Sequence, residues 1–222
     1  CSHRSYSITM QGRGVHAVAV VWFPTCILRK IIVPNDSSFK GAKLSVLAQK
    51  VCIVGEFSVG KTSLIRRYVL GLFSETYKAT IGVNCYNHRG QFLHPGTGRT
   101  QAINLVLWDV EGGQQRSSML NTYLIGSAGA LLIADLTRPE TIDSLDHYYG
   151  LLEAVIPGRP KALALNKIDL LDRSPQMSQT LGRAQAKAKA LGLQLVQTSA
   201  LQGNQVPELF GGLASDILKA RG

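Results

Sequence analysis

The chain has 222 residues, of which 45% are apolar and 17% charged, and its formal net charge is +10. This composition is typical of a folded globular protein and excludes an intrinsically disordered chain. Half of the net positive charge, +5, lies in residues 1–49. The rest of the sequence holds no basic run interleaved with aromatic residues, so we expect no nucleic-acid partner.

The four cysteines are Cys1, Cys26, Cys52 and Cys85, and they show neither a CxxC pair nor the spacing of metal ligands. Cys52 falls within an apolar run, where a free thiol behaves as a small hydrophobic side chain. Nothing in this pattern requires an oxidising compartment. We therefore expect a cytoplasmic protein.

Residues 1–45 differ in character from the rest and are predicted to be an N-terminal extension of uncertain role. An uncharged stretch at residues 15–28 contains Pro24 and is shorter than the roughly 20 apolar residues of a membrane-spanning helix. No convincing signal-peptide cleavage site follows it. Three interpretations stay open: a disordered or loosely docked extension, a segment that touches a membrane, or non-native upstream sequence.

From residue 46 onward, strand-like and helix-like patterns alternate. Short apolar runs predict six strands, at residues 50–54, 83–88, 102–109, 130–136, 162–165 and 193–197, with a connection over residues 89–100. Helices are predicted over residues 61–70, over residues 178–191 before Gly192, and over residues 206–219 with Pro207 in the first turn. This alternation predicts one α/β domain over residues 46–222. Its three layers are a mostly parallel six-stranded sheet and helices on both faces.

A phosphate-binding motif follows the first of these strands. The residues Gly55, Glu56, Phe57, Ser58, Val59, Gly60, Lys61 and Thr62 match GxxxxGK[ST] between a strand and a helix, and Ser63 continues that helix. Glycines let the backbone curl so that its N–H groups and the helix amino end face phosphate oxygens. Lys61 is expected to reach the β- and γ-phosphates, and the Thr62 hydroxyl to ligate Mg²⁺. The motif predicts a P-loop NTPase fold.

A second motif indicates guanine rather than adenine. The tetrad NKxD, formed by Asn166, Lys167 and Asp169, follows the strand at residues 162–165 and emerges at the same sheet edge. The Asp169 carboxylate can accept hydrogen bonds from guanine N1–H and the exocyclic amine, which adenine does not offer. Lys167 can lie along the base, and Asn166 can tie this loop to the phosphate loop. Thr198, Ser199 and Ala200 follow the next strand, where their backbone can meet the guanine carbonyl oxygen.

With these motifs in this order, the chain resembles the Ras superfamily of small GTPases, most nearly its Rab-like members, over about 170 residues. The resemblance implies that GTP, GDP and Mg²⁺ are the cofactors and that residues 73–82 form the first switch region. In the family, the residue matching Thr80 closes over Mg²⁺ and the γ-phosphate, and the aromatic residue matching Phe73 packs on the guanosine. Tyr77, in the same segment, is a further candidate nucleotide contact.

The second switch matches the family motif DxxG through Asp109 and Gly112. The resemblance implies that Asp109 holds Mg²⁺ through a water and that the Gly112 N–H meets the γ-phosphate. The family places a glutamine directly after this glycine to orient the attacking water, whereas this chain has Gly113 there and Gln114 one step later. Either Gln114 takes over through a local backbone shift, or the catalytic glutamine is absent. The candidate catalytic residues are Lys61, Thr80 and Gln114, and the candidate metal ligands are Thr62, Thr80 and Asp109.

Two further departures shape the functional expectation. Phe57 and Ser58 stand in the phosphate loop where many members carry small residues, and Phe57 is expected to crowd an arginine finger from an activating protein. The chain ends Lys219-Ala220-Arg221-Gly222 without a cysteine, so membrane contact is expected through partners rather than prenylation. We expect a monomer that meets effectors, exchange factors and activating proteins through its switch loops.

The sequence therefore predicts a small GTP-binding protein that cycles between GTP- and GDP-bound states as a molecular switch, with slow GTP hydrolysis. The alternative is a GTP-binding module with little or no hydrolysis that acts as a scaffold.

Overall fold

The computed structural model describes residues 46–73, 80, 82–113 and 117–221, with backbone alone at 117–118, and the backbone of 9–11, 16–20 and 30–34. The strands are β1 Thr9–Gln11, β2 His16–Val20, β3 Lys30–Pro34, β4 Leu47–Val54, β5 Val83–His94, β6 Arg99–Val110, β7 Gly129–Asp135, β8 Lys161–Asn166 and β9 Gln194–Gln197. The helices are α1 Lys61–Leu70, α2 Ser117–Leu124, α3 Glu140–Asp143, α4 Leu145–Val155, α5 Pro175–Leu191 and α6 Val206–Lys219, with a 3-10 helix at Ile168–Arg173.

The strands form one sheet in the order β1-β2-β3-β5-β6-β4-β7-β8-β9. The last six strands in the chain, β4 to β9, are those predicted from the sequence. They pair in parallel except for the antiparallel β5–β6 hairpin. This confirms the predicted mostly parallel α/β sheet. The short strands β1 to β3 extend its edge, with β3 parallel to β5 through the pairs Ile31–Cys85 and Ile32–Tyr86.

The two faces of the sheet are covered by different helices because successive side chains on a strand point to opposite sides. On β4, Val51 and Ile53 pack with residues of α1 and α6, whereas Cys52 and Val54 pack with residues of α2, α4 and α5. The apolar pattern of the sequence predicted helix α6 correctly. Its buried residues recur at helical spacing and form one apolar face, made of Val206, Leu209, Phe210, Leu213, Ala214, Ile217 and Leu218.

One sequence prediction needs correction. The connection expected over residues 89–100 is mostly strand, because β5 continues to His94 and β6 begins at Arg99. Gly90 lies inside the ladder, where it pairs with Ile103. Only residues 95–98 turn, with Gly98 at φ 66° and its N–H donating to the carbonyl oxygen of His94 at 2.9 Å. Cross-strand pairing therefore overrides the glycine signal at Gly90.

Within the described ranges, no helix combines the length and the apolar character needed to cross a lipid bilayer.

Candidate functional site

The phosphate loop connects the end of β4 to α1 through backbone conformations that favour glycine. Gly55 and Gly60 have φ of 144° and 97°. A Cβ at Gly55 would lie 2.3 Å from the carbonyl oxygen of Ile133, and one at Gly60 would lie 2.2 Å from Asn166 Nδ2. Both positions therefore require glycine for space as well as for conformation. The loop consequently lies directly against β7 and the NKxD segment.

Lys61 occupies the centre of this loop and is only 6% exposed. Its Nζ donates to the carbonyl oxygens of Gly55 and Glu56, both at 2.8 Å. Burial lowers the pKa of Lys61 to about 8, although the nearby Asp109 and Glu56 carboxylates oppose this shift. The loop thus holds a desolvated cation at the amino end of α1, where helix geometry also favours an anion.

Three oxygen-bearing side chains meet beside Lys61. The Thr62 hydroxyl donates to Asp109 Oδ2 at 2.6 Å and lies 2.9 Å from the Thr80 hydroxyl, which is 3.4 Å from the same carboxylate oxygen. Asp109 is fully buried, and its Oδ1 has no hydrogen-bond partner among the described residues. Burial raises the pKa of Asp109, while the hydrogen bond from Thr62 and the charge of Lys61 oppose the rise.

This donor set fits the metal that the family resemblance implies. Mg²⁺ prefers hard oxygen ligands and is commonly bound by one or two carboxylates together with phosphate oxygens and waters. Two hydroxyls and a buried carboxylate with an unpartnered oxygen supply such a set. The structure therefore brings the candidate metal ligands Thr62, Thr80 and Asp109 together.

The NKxD segment is tied to both neighbouring loops. Asn166 donates through Nδ2 to the Val59 carbonyl oxygen at 2.9 Å, and its Oδ1 accepts from the Ala200 N–H at 3.2 Å and the Thr198 hydroxyl at 3.4 Å. The Ser199 hydroxyl donates to Asp169 Oδ1 at 2.6 Å. Asn166 and Asp169 are thus both held by hydrogen bonds to residues 198–200.

Lys167 takes a left-handed backbone conformation, with φ 67°, and its Nζ lies 2.6 Å from Asp135 Oδ2. Asp135 also pairs with Arg138 at 3.1 Å. Burial alone would raise the pKa of Asp135, but hydrogen bonds from Lys167 and Thr137 hold it below its ordinary value. Asp135 therefore holds the side chain of the tetrad's lysine in place through this ion pair.

A single cavity of about 500 Å³ joins these parts. Most of the candidate nucleotide-binding residues line it, namely Phe57, Ser58, Gly60, Lys61, Thr62, Ser63, Phe73, Thr80, Gly112, Asn166, Lys167, Asp169 and Ala200. Its size lies within the range of small-molecule sites. A second, shallower depression of about 670 Å³ beside β9 is lined by Ile168, Leu195, Gln197, Asn204 and Gln205, none of them charged. The charged and hydroxyl-bearing candidate residues line the smaller cavity.

Some candidates contribute in other ways or fall outside the described residues. Val59 and Thr198 are fully buried and act through hydrogen bonds to Asn166 rather than by lining the cavity. Phe57 is 47% exposed, and Phe73 packs on the α1 and α6 side of the core. Gln114 and Tyr77 lie outside the described residues, as do the rest of residues 74–79 and Ile81.

The second switch begins against the phosphate loop. A Cβ at Gly112 would lie 2.5 Å from Lys61 Nζ and 2.6 Å from the Glu56 carbonyl oxygen, so only glycine fits there. Gly113 has φ 116° and open space around its Cα, and its N–H donates to the Tyr148 hydroxyl at 3.3 Å. The position after DxxG is therefore restricted by backbone conformation rather than by crowding.

Sequence reasoning missed several residues that shape this site. Arg138 donates to the Phe57 carbonyl oxygen at 2.7 Å, and Arg67 donates to the carbonyl oxygens of Ala200 and Leu201 at 2.8 and 2.5 Å. Asp135 had a usable signal, because it is the one acidic residue in the apolar run at 130–136. Tyr148, Arg67 and Arg138 gave no such sequence signal, because their partners are distant along the chain.

The residues that build this cavity lie within the part of the chain that matches a family model. The model is that of the Ras family, and it matches residues 50–219. This range covers the phosphate loop, the Thr62–Thr80–Asp109 cluster and the NKxD tetrad, and it makes up most of the chain. On this match, together with the fold and the geometry of the site, the chain belongs to the Ras family of small GTP-binding proteins.

Proposed function

We propose that this protein binds GTP and GDP with Mg²⁺ as a molecular switch and hydrolyses GTP slowly. The observation that carries the proposal is the single cavity lined by the phosphate loop, by Thr62 and Thr80, and by Asp169. The buried Asp109 is hydrogen-bonded to Thr62, and the buried Ser199 is hydrogen-bonded to Asp169. Each part matches one portion of the ligand: the phosphates, the metal and the base. The family as a whole binds guanine nucleotide and Mg²⁺, which supports the same conclusion.

Each group of residues binds a different part of the nucleotide or the metal. Lys61 and the backbone N–H groups of the loop hold the phosphates, and Thr62, Thr80 and Asp109 hold Mg²⁺, directly or through water. When bound, the metal neutralises negative charge on the β- and γ-phosphate oxygens. Asp169, oriented by Ser199, accepts hydrogen bonds from guanine, and Lys167 and Phe73 flank the nucleoside. Gly112 brings its backbone N–H to the γ-phosphate.

Slow hydrolysis is expected because Gly113 supplies no side chain where the family uses a glutamine. Its φ of 116° also disfavours any other residue in that conformation. Intrinsic hydrolysis in Ras-type proteins is already only about 10⁻⁴ s⁻¹, and an arginine finger raises it up to about 10⁵-fold. Phe57, which is half exposed and lines the cavity, would obstruct such an arginine. Gln114 remains the candidate that could orient water in its place.

The second candidate function is a GTP-binding scaffold with little or no hydrolysis, and the same observations on Gly113 and Phe57 favour it. In either case we propose a Rab-like, monomeric, cytoplasmic protein whose nucleotide-binding domain spans residues 46–222. Its switch loops would meet effector, exchange-factor and activating proteins, and membrane contact would arise through partners.

The decisive experiment begins with the nucleotide that co-purifies with the full chain. The protein is then loaded with GTP and Mg²⁺, and single-turnover hydrolysis is followed at 25 °C. Bound GDP and slow hydrolysis support the switch, whereas GTP that persists for many hours supports the scaffold. Absence of any bound or loadable guanine nucleotide would refute both.

The switch also predicts a difference between the two nucleotide states. Amide hydrogen exchange near Thr80 and Gly112 should be slower with a non-hydrolysable GTP analogue than with GDP, because the γ-phosphate orders both loops. Identical exchange in the two states would leave a nucleotide-binding protein without a switch.

A further inference from the structure

The hydroxyl of Tyr148 connects the phosphate loop to the second switch. It donates to Glu56 Oε1 at 3.3 Å and accepts from the Gly113 N–H at 3.3 Å. Glu56 belongs to the GxxxxGKT motif, and Gly113 is the residue after DxxG, so three separate segments meet at one oxygen atom.

The direction of the two hydrogen bonds follows from the groups involved. A phenol has one proton to donate and lone pairs that accept. The carboxylate oxygen of Glu56 can only accept that proton, and the backbone N–H of Gly113 can only donate to a lone pair. Tyr148 belongs to α4, is only 3% exposed and packs in the core against residues of the sheet. Burial, followed by the charge of Glu56, raises the pKa of Tyr148 to about 12, so the phenol keeps its proton at neutral pH.

The contact lies beside the groups expected to sense the γ-phosphate. Gly112, next to Gly113, touches Lys61 Nζ and the Glu56 carbonyl closely enough to exclude a Cβ. In the same structure Thr80 turns its hydroxyl toward Thr62 and Asp109. Thr80 of the first switch and Gly112 of the second therefore both lie against the phosphate site while Tyr148 is hydrogen-bonded to Gly113. The contact thus belongs to an arrangement in which both switches are close to the site.

We propose that Tyr148 is a positioning residue that holds the second switch on the phosphate loop and thereby favours GTP over GDP. The inference rests on the proposed function. The hydroxyl restrains Gly113, which in turn sets the place of the Gly112 N–H. Because GDP has no γ-phosphate for that N–H to meet, loss of the hydroxyl should weaken GTP binding selectively.

The test compares Tyr148→Phe with Tyr149→Phe in the full chain. Tyr148→Phe removes one oxygen and leaves the buried ring. Tyr149→Phe is the matched control, because Tyr149 is the next residue of the same helix and interacts with Glu153 and Lys161 instead. Two readouts are needed: the exchange rate of the Gly113 amide by ¹⁵N NMR, and the affinities for GDP and for a non-hydrolysable GTP analogue.

Tyr148→Phe removes two hydrogen bonds, and only the neutral one from the Gly113 N–H acts on the second switch. Its loss predicts a fall in affinity for the GTP analogue of about 3–10-fold, with GDP affinity within about 2-fold of wild type. The Gly113 amide should exchange faster in Tyr148→Phe than in wild type, and its exchange rate should be unchanged in Tyr149→Phe. An unchanged ratio of the two affinities would overturn the inference. So would an equal loss for both nucleotides, which indicates a merely structural role, or an unchanged Gly113 exchange rate.

The failure of the proposed function gives a different result. If the wild-type chain binds neither nucleotide, the site assignment falls and this inference falls with it. If the wild type binds both and Tyr148→Phe leaves their ratio unchanged, only the role of Tyr148 falls.

Discussion

The side-chain amide of Asn166 donates a hydrogen bond to the carbonyl oxygen of Val59 across 2.9 Å, which joins the base-recognition loop to the phosphate loop. The same side chain accepts from the Ala200 N–H at 3.2 Å. Asn166 is only 2% exposed, so its loss would leave buried polar groups without partners.

Asn166→Ala should therefore lower the free energy of unfolding by about 2–4 kcal/mol and speed the release of bound GDP. Urea unfolding and the dissociation of a fluorescent GDP derivative measure the two effects. Asn104→Ala is the control, since Asn104 pairs with Asn87 on the hairpin, away from the cavity. GDP release at the wild-type rate in Asn166→Ala would show that the link contributes nothing to binding.

Lys61 should make the stability of the nucleotide-free protein depend on pH. Its pKa is about 8 in the folded state, below the ordinary value of 10.5, so the unfolded chain binds more protons between these values. Stability from this group therefore rises with pH from about 8 to about 10.5. Below that window the buried ammonium costs about 3 kcal/mol.

Lys61→Met should consequently abolish tight nucleotide binding and yet stabilise the nucleotide-free protein at pH 7. The measurement is urea unfolding of both proteins, stripped of nucleotide, from pH 7 to 10. The stability difference should shrink as pH rises. A variant that is less stable than wild type at pH 7, or a difference independent of pH, would contradict the assignment of a desolvated cation.

Asp169→Asn should weaken GDP binding by roughly 3 kcal/mol or more, because a charged acceptor is replaced where guanine donates. This corresponds to a loss of affinity of about 100-fold, measurable by calorimetry. Asp172→Asn is the matched control, since Asp172 is an exposed aspartate of the same 3-10 helix. Equal GDP affinities for the two variants would mean that the base binds elsewhere.

Gly113→Gln should not restore fast hydrolysis, even though it restores the family's residue. The positive φ of Gly113 disfavours any L side chain, at a cost of about 1–3 kcal/mol.

Gly150→Ala in α4 is the control for Gly113→Gln, because Gly150 has helical backbone and open space around it. This substitution should raise the free energy of unfolding by about 0.5–1 kcal/mol. Thermal unfolding and single-turnover kinetics test both, and a large rise in hydrolysis by Gly113→Gln would show that the second switch readily takes another conformation.

Local signals predicted much of the fold. Helix α1 begins after Gly60 and ends before Gly71, both in left-handed conformations, and α6 begins beside Pro207, so their bounds agree with the sequence prediction. The phosphate loop and the NKxD tetrad were equally local, because each motif needs only a strand end and a short run of residues. Their convergence followed from the rule that parallel strands present their carboxyl ends at one edge.

Other features depended on pairings that no local pattern records. Glu56 and Tyr148 are 92 residues apart, and Phe57 and Arg138 are 81 apart. Their contacts arise from the packing of α4 and the α3 turn against the sheet. Gly90 misled for a related reason: alone it indicates a break, but Ile103 on the facing strand keeps it in the ladder.

The β5–β6 hairpin has a mechanical consequence for the two switches. Thr80 lies just before β5, and Gly112 lies just after β6. The pair Val83–Val110 and reciprocal 2.8 Å hydrogen bonds between Gly82 and Glu111 close the base of the hairpin. Displacing the start of β5 should therefore also displace the end of β6, so the residues at which the two switch loops join the hairpin move together. A nucleotide titration should move both with one midpoint.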